Sequence, residues 1–463
     1  MEGHCHLPLL HLAVACLLLL LLPPLPVSRA ASTVVAHLPG FDGPLPFYLE
    51  TGYVNVEEET GTELFYYFVE SERNPAMDAV VLWLTSGPRC SAFSGLGFEV
   101  GPTKFVLEPF TPYNGSLPRL VYNPYSWTQM ASILFLDSPV GSGFSYARDP
   151  KGYDVGDYSS SLQVLKFLKK WFNDHPQYLL NPFYIGGDSY AGKVTPLIAQ
   201  YISEGNRTKG YLVGNPVTDQ KFDGNFIVPA SHGFGLISDQ LYEAAVENCK
   251  GDYVNPANDI CAGVLHTINN LISEIAQAHI LYKLCVVAAP KPIGYDDPGR
   301  RFILEESIRL SEPPGHPTIT YGYYLSYYWM NDNATRDALG IKEGTVGEWI
   351  RCIKGLPYAE DLPSSINYHF NLTTRGYRAL VYSGDHDLMV PLLGTQAWIR
   401  SLNFSIVDDW RAWHVDGQAA GFTIMYANNL TFATVKGGGH TAPEYQPKEC
   451  FAMAQRWLDN KPL

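Results

Sequence analysis

One ten-residue stretch constrains the fold of this chain more than any other. Residues Phe183–Gly192 read Phe-Tyr-Ile-Gly-Gly-Asp-Ser-Tyr-Ala-Gly, so an apolar run that predicts a buried strand leads directly into small residues. The residues that follow carry apolar side chains at helical spacing: Val194, Ile198 and Ile202. A sharp strand-to-helix turn needs small residues two positions on either side of the residue at its tip, because larger side chains would clash with the backbone. Gly187 and Ala191 meet this requirement around Ser189.

Short apolar runs elsewhere predict five further buried strands. They are Ala79–Leu84, Ile133–Leu136, Tyr211–Val213, Ala379–Tyr382 and Phe432–Val435. An amphipathic helix between two of the predicted strands is marked by Leu162, Leu165, Leu168 and Trp171. Strands that alternate with helices predict an α/β fold with a central, mostly parallel sheet and helices on both of its faces.

An irregular region, from about Cys249 to Thr320, interrupts this alternation. It mixes a helical patch with proline-rich and charged stretches such as Ala289–Pro292 and Glu312–Gly315. The helical patch consists of Ile268, Leu271, Ile272 and Ile275. The pattern predicts an inserted cap with an exposed loop. We therefore divide the mature chain into a first core part over 31–240, a cap over 241–320 and a second core part over 321–463.

Length and charge exclude several classes of function. The 463 residues are 46% hydrophobic, which is enough to build a large buried core. The formal net charge is -14, and no run of Lys or Arg is longer than two residues. A chain of this charge repels nucleic acids and anionic lipids, so we expect neither as a partner.

The N-terminus predicts entry into the secretory pathway. An apolar run from about Leu7 to Leu22 is followed by prolines and then by the small residues Ser28 and Ala30, which is typical of a signal peptide over residues 1–30. The segment before the run has no Lys or Arg, so an uncleaved anchor is the alternative. No second run is long enough to span a bilayer, and we expect an extracellular or vacuolar protein with no membrane attachment after cleavage.

Sequons and cysteines agree with export. Six Asn-x-Ser/Thr triplets predict surface glycans in a secreted chain, at Asn114, Asn206, Asn333, Asn371, Asn403 and Asn429. Six cysteines remain after the signal peptide, namely Cys90, Cys249, Cys261, Cys285, Cys352 and Cys450. This even number predicts disulfides in an oxidising compartment. No Cys-x-x-Cys or His-Glu-x-x-His pattern occurs, so we predict no metal and no cofactor.

Ser189 has candidate partners later in the chain. A serine hydroxyl becomes a nucleophile when an imidazole takes its proton and a carboxylate orients that imidazole. Two acids, Asp385 and Asp387, follow one predicted strand and His440 follows another, each at the end where sheet enzymes place their sites. Three glycines before His440 permit close backbone approach, which argues against an inconsequential loop histidine. His386 is the rival base, but we expect it to be solvated between its two acidic neighbours.

Acyl chemistry also needs donors for an oxyanion. These are usually the amide after the nucleophile and one amide from an earlier loop. The first is the amide of Tyr190. The strand that ends at Leu84 runs into a small-residue loop, Thr85–Ser91, and we choose Gly87 in this loop as the second donor.

Several segments together resemble serine carboxypeptidase-like proteins over nearly the whole mature chain. They are Trp83–Ser91, Leu136–Tyr146, the Ser189 turn, Asp385–Asp387 and the His440 loop. The resemblance implies the α/β-hydrolase fold. It also implies that the orienting carboxylate is the second acid of Gly-Asp-x-Asp, which is Asp387 rather than Asp385.

Two residues, together with the segments Leu49–Tyr53 and Leu136–Pro139, resemble the plant acyltransferase branch of this family. Peptidases of the family carry Asn-Gly-Gly-Pro-Gly-Cys and Gly-Glu-Ser-Tyr, whose Asn and Glu grip the C-terminal carboxylate of a substrate. This chain has Thr85 and Asp188 instead. The resemblance implies acyl transfer from 1-O-glucose esters to small alcohols, with Thr85, Ser86 and Asp188 binding substrate. A serine carboxypeptidase active at acidic pH and an inactive secreted glycoprotein are the alternatives.

The chain departs from the family in the Thr85–Ser91 loop. Ser86 and Arg89 replace family glycines. A positive φ at either position would cost on the order of 1 kcal/mol. We hypothesise an active enzyme with an altered pocket in which Arg89 pairs with an acidic neighbour, and an inactive paralogue is the alternative.

The family resemblance also implies a disulfide pattern. It pairs Cys90 with Cys352 and Cys249 with Cys261. The family partner of Cys285 is missing here, so we expect Cys285 to be unpaired and Cys450 to be a buried free thiol. Without that bridge, the loop from Pro290 to Pro314 should be open to proteases, which cut some relatives there into two disulfide-linked chains.

Overall fold

The computed structural model describes residues 32–85, 87–111, 115–204, 208–284, 321–353 and 355–463. Several predictions lie outside these described residues. They concern the signal peptide over 1–30, Ser86, Asn114, Asn206, Cys285 and the loop from Pro290 to Pro314.

Fifteen strands are present in the described part of the chain. They are β1 (Ser32–Val34), β2 (Leu49–Glu57), β3 (Thr62–Val69), β4 (Ala79–Leu84), β5 (Thr103–Phe105), β6 (Leu120–Tyr122), β7 (Ala131–Leu136), β8 (Val155–Gly156), β9 (Phe183–Asp188), β10 (Thr208–Gly214), β11 (Tyr358–Ala359), β12 (Arg378–Gly384), β13 (Ile406–Val415), β14 (Gln418–Tyr426) and β15 (Leu430–Val435).

Twelve α-helices are present in the same described ranges, six of them in succession between β10 and β11. They are α1 (Asp157–Asp174), α2 (Ala191–Ser203), α3 (Gln220–Asp223), α4 (Ile227–Gly233), α5 (Asp239–Cys249), α6 (Asp259–Ile272), α7 (Tyr321–Met330), α8 (Asn333–Ala338), α9 (Ile366–Thr374), α10 (Leu392–Ser401), α11 (Ala442–Tyr445) and α12 (Pro447–Leu458).

An eleven-stranded sheet with the order β1-β2-β3-β7-β4-β9-β10-β12-β15-β14-β13 forms the centre of the molecule. The run from β7 to β15 is parallel, and the strands outside it pair antiparallel. The six strands of the parallel run are the six that the apolar runs predict. They read as continuous apolar runs because helices cover both faces of a parallel sheet. One apolar cluster lies on each face.

Helices α1 and α2 pack against each other on one face of the sheet and frame the turn at Ser189. The buried side of α1 includes Phe167, Leu168 and Trp171. Leu162, which the sequence pattern places on that side, is instead 45% exposed. The helical periodicity is right, but the buried stripe is centred one position away from the stripe that was predicted.

The cap region has an apolar cluster of its own. It joins α4, α5 and α6, with Ala245, Ile268 and Ile272 among its buried members. Because Val228 also belongs to this cluster, the packing begins before residue 241. The domain boundaries themselves stay a prediction.

Two surface features bear on the secretory prediction. Four predicted glycosylation sites are exposed: Asn333, Asn371, Asn403 and Asn429. Within the described ranges, no helix has both the length and the apolar character needed to cross a bilayer. Glycosylation and cleavage of the signal peptide stay predictions.

Candidate active site

Three side chains from the ends of three parallel strands meet at the carboxyl edge of the sheet. Ser189 directly follows β9, Asp387 follows β12 and His440 follows β15. His440 Nε2 lies 2.7 Å from Ser189 Oγ, and His440 Nδ1 lies 2.9 Å from Asp387 Oδ2. All three residues are buried. The geometry therefore forms one continuous hydrogen-bond chain from a hydroxyl through an imidazole to a carboxylate.

Ser189 occupies a left-handed backbone conformation with φ of 54°. Its amide donates to Gly214 O at 2.9 Å, and its carbonyl oxygen accepts from Val217 N at 2.9 Å. A Cβ on Gly187 would stand 2.4 Å from Leu84 O, so a larger residue there would collide with the backbone of β4. These contacts hold the serine on a tight turn between β9 and α2.

Asp387 is fixed by several donors. Its carboxylate accepts hydrogen bonds from Met389 N at 2.8 Å, from Val390 N at 3.3 Å and from Asn215 Nδ2 at 2.8 Å. Sequence analysis missed Asn215. A signal existed, because Asn215 is the first residue after β10 and therefore lies at the same edge of the sheet.

Charges around His440 favour its protonated form. Burial lowers the pKa of the imidazole, but the charge and hydrogen bond of Asp387, together with the charge of Glu99, outweigh burial and raise this pKa above its ordinary value. The rival base, His386, bonds Asp385 Oδ1 through Nδ1 at 2.6 Å, and its side chain is 25% exposed. His440 is therefore the histidine that contacts Ser189.

The loop after β4, of which Thr85 and residues 87–91 are described, lies beside the Ser189 turn because β4 pairs with β9. It is here called the oxyanion loop after its predicted role. Gly87 and Arg89 both have positive φ, at 68° and 69°. The prediction that Arg89 pairs with an acidic residue is wrong. The guanidinium donates instead to three main-chain carbonyl oxygens, those of Val140, Tyr153 and Pro357.

Tyr190, the other predicted oxyanion donor, immediately precedes α2. Its phenol donates to Asp157 Oδ1 at 2.8 Å, and Asp157 is fully buried at the start of α1. The hydroxyl of Tyr358 donates to the same carboxylate oxygen at 2.9 Å. The side chain of Tyr190 is thus anchored to Asp157, while the main chain of Tyr190 forms part of the turn next to Ser189.

Two predicted substrate-binding residues lie on adjacent strands of the sheet. Thr85 follows β4, and Asp188 ends β9, which pairs with β4. Both residues are buried. Across the described part of the chain, the Thr85 hydroxyl has no hydrogen-bond partner. A buried hydroxyl without a partner is available to a ligand.

Sequence analysis also missed two buried carboxyls near His440. Glu99 accepts a hydrogen bond from Trp83 Nε1 at 2.9 Å. Burial raises the pKa of Glu99 to about 7, the Trp83 bond opposes this rise and the charge of Glu444 adds to it. Glu444 accepts from Tyr323 and from Thr441, each at 2.7 Å, and burial raises its pKa as well. No short sequence pattern marks Glu99, which its hydrogen bond with Trp83 holds near the site. Glu444 was overlooked although it lies on α11, only four residues after His440.

The cysteines are arranged as the family resemblance implies, as far as the described residues reach. Disulfides join Cys90 to Cys352 and Cys249 to Cys261. Cys450 is a buried free thiol whose pKa burial raises well above the ordinary value. The first disulfide ties the oxyanion loop to the segment after the cap.

Comparisons with known proteins agree on one family. The family model described as serine carboxypeptidase matches residues 39–460. Serine carboxypeptidase-like 4 of Arabidopsis thaliana is 46% identical over 443 residues, which cover 94% of each chain. Serine carboxypeptidase-like 19 of the same plant is 47% identical over 450 residues, covering 94% of this chain and 95% of the relative.

Among solved structures, the prohormone-processing carboxypeptidase KEX1(delta)p of Saccharomyces cerevisiae has a TM-score of 0.71 with 20% identity. The match covers 92% of this chain and 95% of the yeast chain. At this identity the likeness concerns the fold alone, and it supports the α/β-hydrolase architecture that the sequence predicts.

Proposed function

Because this chain belongs to the serine carboxypeptidase family, we propose that it transfers acyl groups through an ester on Ser189, from 1-O-glucose esters to small-molecule alcohols of secondary metabolism. The observation that carries the proposal is the hydrogen-bond chain from Ser189 Oγ to His440 at 2.7 Å and on to Asp387 at 2.9 Å. This series of hydrogen bonds is the arrangement that makes a serine hydroxyl nucleophilic.

In the first half-reaction, Ser189 Oγ attacks the acyl carbonyl of the donor while His440 Nε2 takes the hydroxyl proton. The carbonyl oxygen becomes an oxyanion, which the amides of Gly87 and Tyr190 would stabilise. The bond to glucose then breaks, and the glucose oxygen takes the proton from His440. The products are the acyl-enzyme and free glucose, and Asp387 stabilises the transient imidazolium.

In the second half-reaction, the acceptor hydroxyl occupies the place that glucose left. His440 takes its proton, its oxygen attacks the acyl carbonyl, and the ester bond to Ser189 breaks as Ser189 Oγ regains the proton. Hydrolysis follows the same steps with water as the acceptor. A bound alcohol wins over water by being held in position, rather than through a stronger base.

The choice of acyl transfer over peptide cleavage depends on Thr85 and Asp188. They stand where peptidases of the resembled type carry a longer Asn and Glu that grip a carboxylate. The Thr85 hydroxyl, which has no hydrogen-bond partner among the described residues, suits a neutral sugar or alcohol oxygen, since it both donates and accepts hydrogen bonds. It offers less to a substrate carboxylate than the Asn–Glu pair.

A second candidate is a serine carboxypeptidase active at acidic pH. Glu99 favours it, because a carboxyl group whose pKa is raised to about 7 is protonated in acid and can donate a hydrogen bond to the C-terminal carboxylate of a peptide. For either activity we propose an extracellular or vacuolar location, after removal of the signal peptide over 1–30.

The first test asks whether Ser189 is nucleophilic. We expect a fluorophosphonate probe to label the folded wild-type protein at Ser189, and we expect S189A to remain unlabelled, with digestion and mass spectrometry locating the adduct. S145A is the control, because Ser145 is buried and its hydroxyl already accepts from Phe65 N and donates to Asp137 O. Folded wild-type protein that resists the probe would identify an inactive glycoprotein.

The second test separates the two activities. One preparation receives hydroxycinnamoyl glucoses with a panel of alcohols, and a parallel sample receives a blocked dipeptide. We expect one new ester for each glucose released, and slow dipeptide cleavage. Dipeptide cleavage that is faster than ester formation would favour the carboxypeptidase, and S189A should abolish both reactions.

A further inference from the structure

The side chain of Arg89 joins the oxyanion loop to three other segments. It is 1% exposed and donates to Tyr153 O at 2.6 Å, as well as to the carbonyl oxygens of Val140 and Pro357. Val140 lies in the loop after β7, Tyr153 ends the turn before β8, and Pro357 immediately precedes β11. One guanidinium therefore connects the loop after β4 to two more loops and to the small β8–β11 sheet.

The main chain of Arg89 is held separately. Its carbonyl oxygen accepts from Ile353 N at 3.0 Å, and the neighbouring Ser91 N donates to Arg351 O at 2.7 Å. The adjacent disulfide, Cys90–Cys352, closes the same contact. The loop is thus fixed on one side by backbone and disulfide, and the guanidinium supplies the contacts to Val140 and Tyr153.

Arg89 takes part in no salt bridge within the described ranges, so its charge is stabilised by carbonyl dipoles. Hydrogen bonds from a charged donor are stronger than those between neutral groups. Burial lowers the pKa of the guanidinium, while the nearby Tyr358 and Tyr153 oppose this shift. Among the residues that the structure describes, none accepts a hydrogen bond from Nε. A buried cation of this kind is costly, so its retention at a left-handed position requires compensating contacts.

Gly141 provides the space for this side chain. A Cβ on Gly141 would stand 2.6 Å from Arg89 Nη1, and the residue has φ of 88°. The loop after β7 is therefore shaped around the arginine. Removing the guanidinium would leave a void there and three carbonyl oxygens without their donor.

We propose that Arg89 is a positioning residue that sets the oxyanion loop, so that the Gly87 amide points at the developing oxyanion without rearrangement. The inference rests on the proposed function of Ser189 and Gly87. A residue of merely structural importance would change stability, whereas a positioning residue changes the rate of acylation at a given stability. Where the family has a glycine, this chain thus has an arginine whose side chain fixes the loop through the carbonyl oxygens of Val140, Tyr153 and Pro357.

The test compares R89G, R89A and R89K with the wild type in fluorophosphonate labelling and in acyl transfer. We expect kcat and the labelling rate to fall about 10- to 100-fold in all three variants, with KM for the donor changing less than about threefold, because a small misplacement of an oriented group has a cost of this size. The R89K variant should not recover, since one ammonium does not span three carbonyls. Added guanidinium ion should partly restore R89G and R89A.

Arg336 provides a matched control. It too is an arginine that donates to main-chain carbonyls, those of Met330 at 3.1 Å, Val346 at 2.9 Å and Gly347 at 2.6 Å. We expect R336G to lower the midpoint of thermal unfolding without slowing the labelling of Ser189.

Hydrogen exchange of peptides over 87–93 and 139–142 tests the inference without turnover. We expect faster exchange there in R89G than in the wild type. Wild-type labelling rates and exchange in R89G would overturn the role of Arg89 while leaving the proposed function intact. Failure of the wild type to label would instead overturn the proposed function, and the exchange data would still decide whether Arg89 holds the loop.

Discussion

Left-handed backbone conformations gather around the candidate site. Ser189 has φ of 54°, Asn215 of 41° and Arg89 of 69°. For side chains other than glycine this conformation costs roughly 1–2 kcal/mol, although asparagine tolerates it. Each of the three residues is also anchored by hydrogen bonds described above. The surrounding contacts thus hold strained residues in place, as is common where geometry serves chemistry.

Asn215 offers a test of how Asp387 is oriented. In N215G the backbone keeps its left-handed conformation, because glycine adopts it freely. The variant loses two side-chain hydrogen bonds, the one from Nδ2 to Asp387 Oδ2 and the one from Gly384 N to Oδ1. We expect kcat to fall roughly tenfold with little change in KM, since a less fixed carboxylate holds His440 less well. The measurement is steady-state acyl transfer across pH.

Asn181 is the matched control for Asn215. It is a buried asparagine whose amide donates to Pro75 O and Asp78 O. N181A should lose stability and keep kcat per folded molecule. An equal loss of kcat in both variants would mean that Asn215 acts through stability alone.

The sequence alone locates the residues that follow predicted strands but not their neighbours. Ser189 and His440 were found because a parallel sheet brings strand ends to one edge, whereas the family resemblance was needed to choose Asp387 over Asp385. Glu99 was missed because it reaches the site through a bond to Trp83, and its own turn carries no signal. The partners of Arg89 were predicted wrongly, because a buried guanidinium is as well served by carbonyl oxygens as by an acid.

At the scale of elements, a short segment of the cap holds the two loops that carry Asp387 and His440. Main-chain hydrogen bonds run from His440 N to Ala278 O at 2.7 Å, from Leu388 N to Gln277 O at 2.9 Å and from Ile280 N to His386 O at 3.1 Å. The segment 277–280 thus acts like a clamp across the loops after β12 and β15. The cap contributes to the alignment of Asp387 with His440.

His279 in this clamp is held as the neutral imidazole. Its Nε2 lies 3.1 Å from Gly437 O, which only accepts, while its Nδ1 accepts from Leu281 N at 3.3 Å. Protonation of Nδ1 would therefore break the second bond. Burial lowers the pKa of His279, the Gly437 bond opposes this shift, and the stacked His386 lowers the pKa further.

The lowered pKa of His279 determines how the stability of the folded protein changes with pH. Because the folded-state pKa of His279 is below the unfolded one, the unfolded chain binds the proton first, and stability is lost as pH falls below about 6.5. Glutamine keeps the donor to Gly437 O but does not titrate. We expect the midpoint of thermal unfolding of the wild type, relative to H279Q, to fall between pH 7.5 and pH 5. Parallel midpoints over this range would contradict the assignment.

The sheet shows which elements a sequence pattern reveals. The six parallel strands were predicted because they are buried on both faces and read as apolar runs. The antiparallel strands were missed where their pattern is mixed: β13 is largely exposed along its length. In β2, the buried run includes Glu50 and Thr51, whose polarity hides the strand. Glu50 is tolerated there because Tyr48, Tyr66 and His175 all bond to it.

At the scale of the whole molecule, several carboxyls are buried within an acidic protein. Burial raises the pKa of Glu99, Asp137 and Asp223 to about 7 in each case. A carboxyl with a raised folded-state pKa binds its proton more readily in the folded state. Such a group adds stability as pH falls from about 7 toward its ordinary value, and opposes the loss that His279 causes.

A substitution of Glu99 tests this contribution to stability by itself. E99Q keeps the shape and the acceptor for Trp83 but carries no charge at any pH. At pH 8 we expect E99Q to be more stable than the wild type by up to about 3 kcal/mol, because the buried carboxylate is then ionised. The two midpoints of thermal unfolding should converge by pH 5. Glu108, whose side chain is 46% exposed, serves as control, and E108Q should track the wild type. A constant difference between E99Q and the wild type would contradict the raised pKa.

The Cys90–Cys352 disulfide turns most of the chain into a ring. The two cysteines are 262 residues apart in sequence, so the covalent circle encloses β9, α2 and the whole cap region. A peptide bond broken anywhere inside this circle opens the ring without separating the halves. The cap can therefore be cut, shortened or lengthened during evolution while Ser189 and the oxyanion loop stay covalently joined to the strands that carry Asp387 and His440.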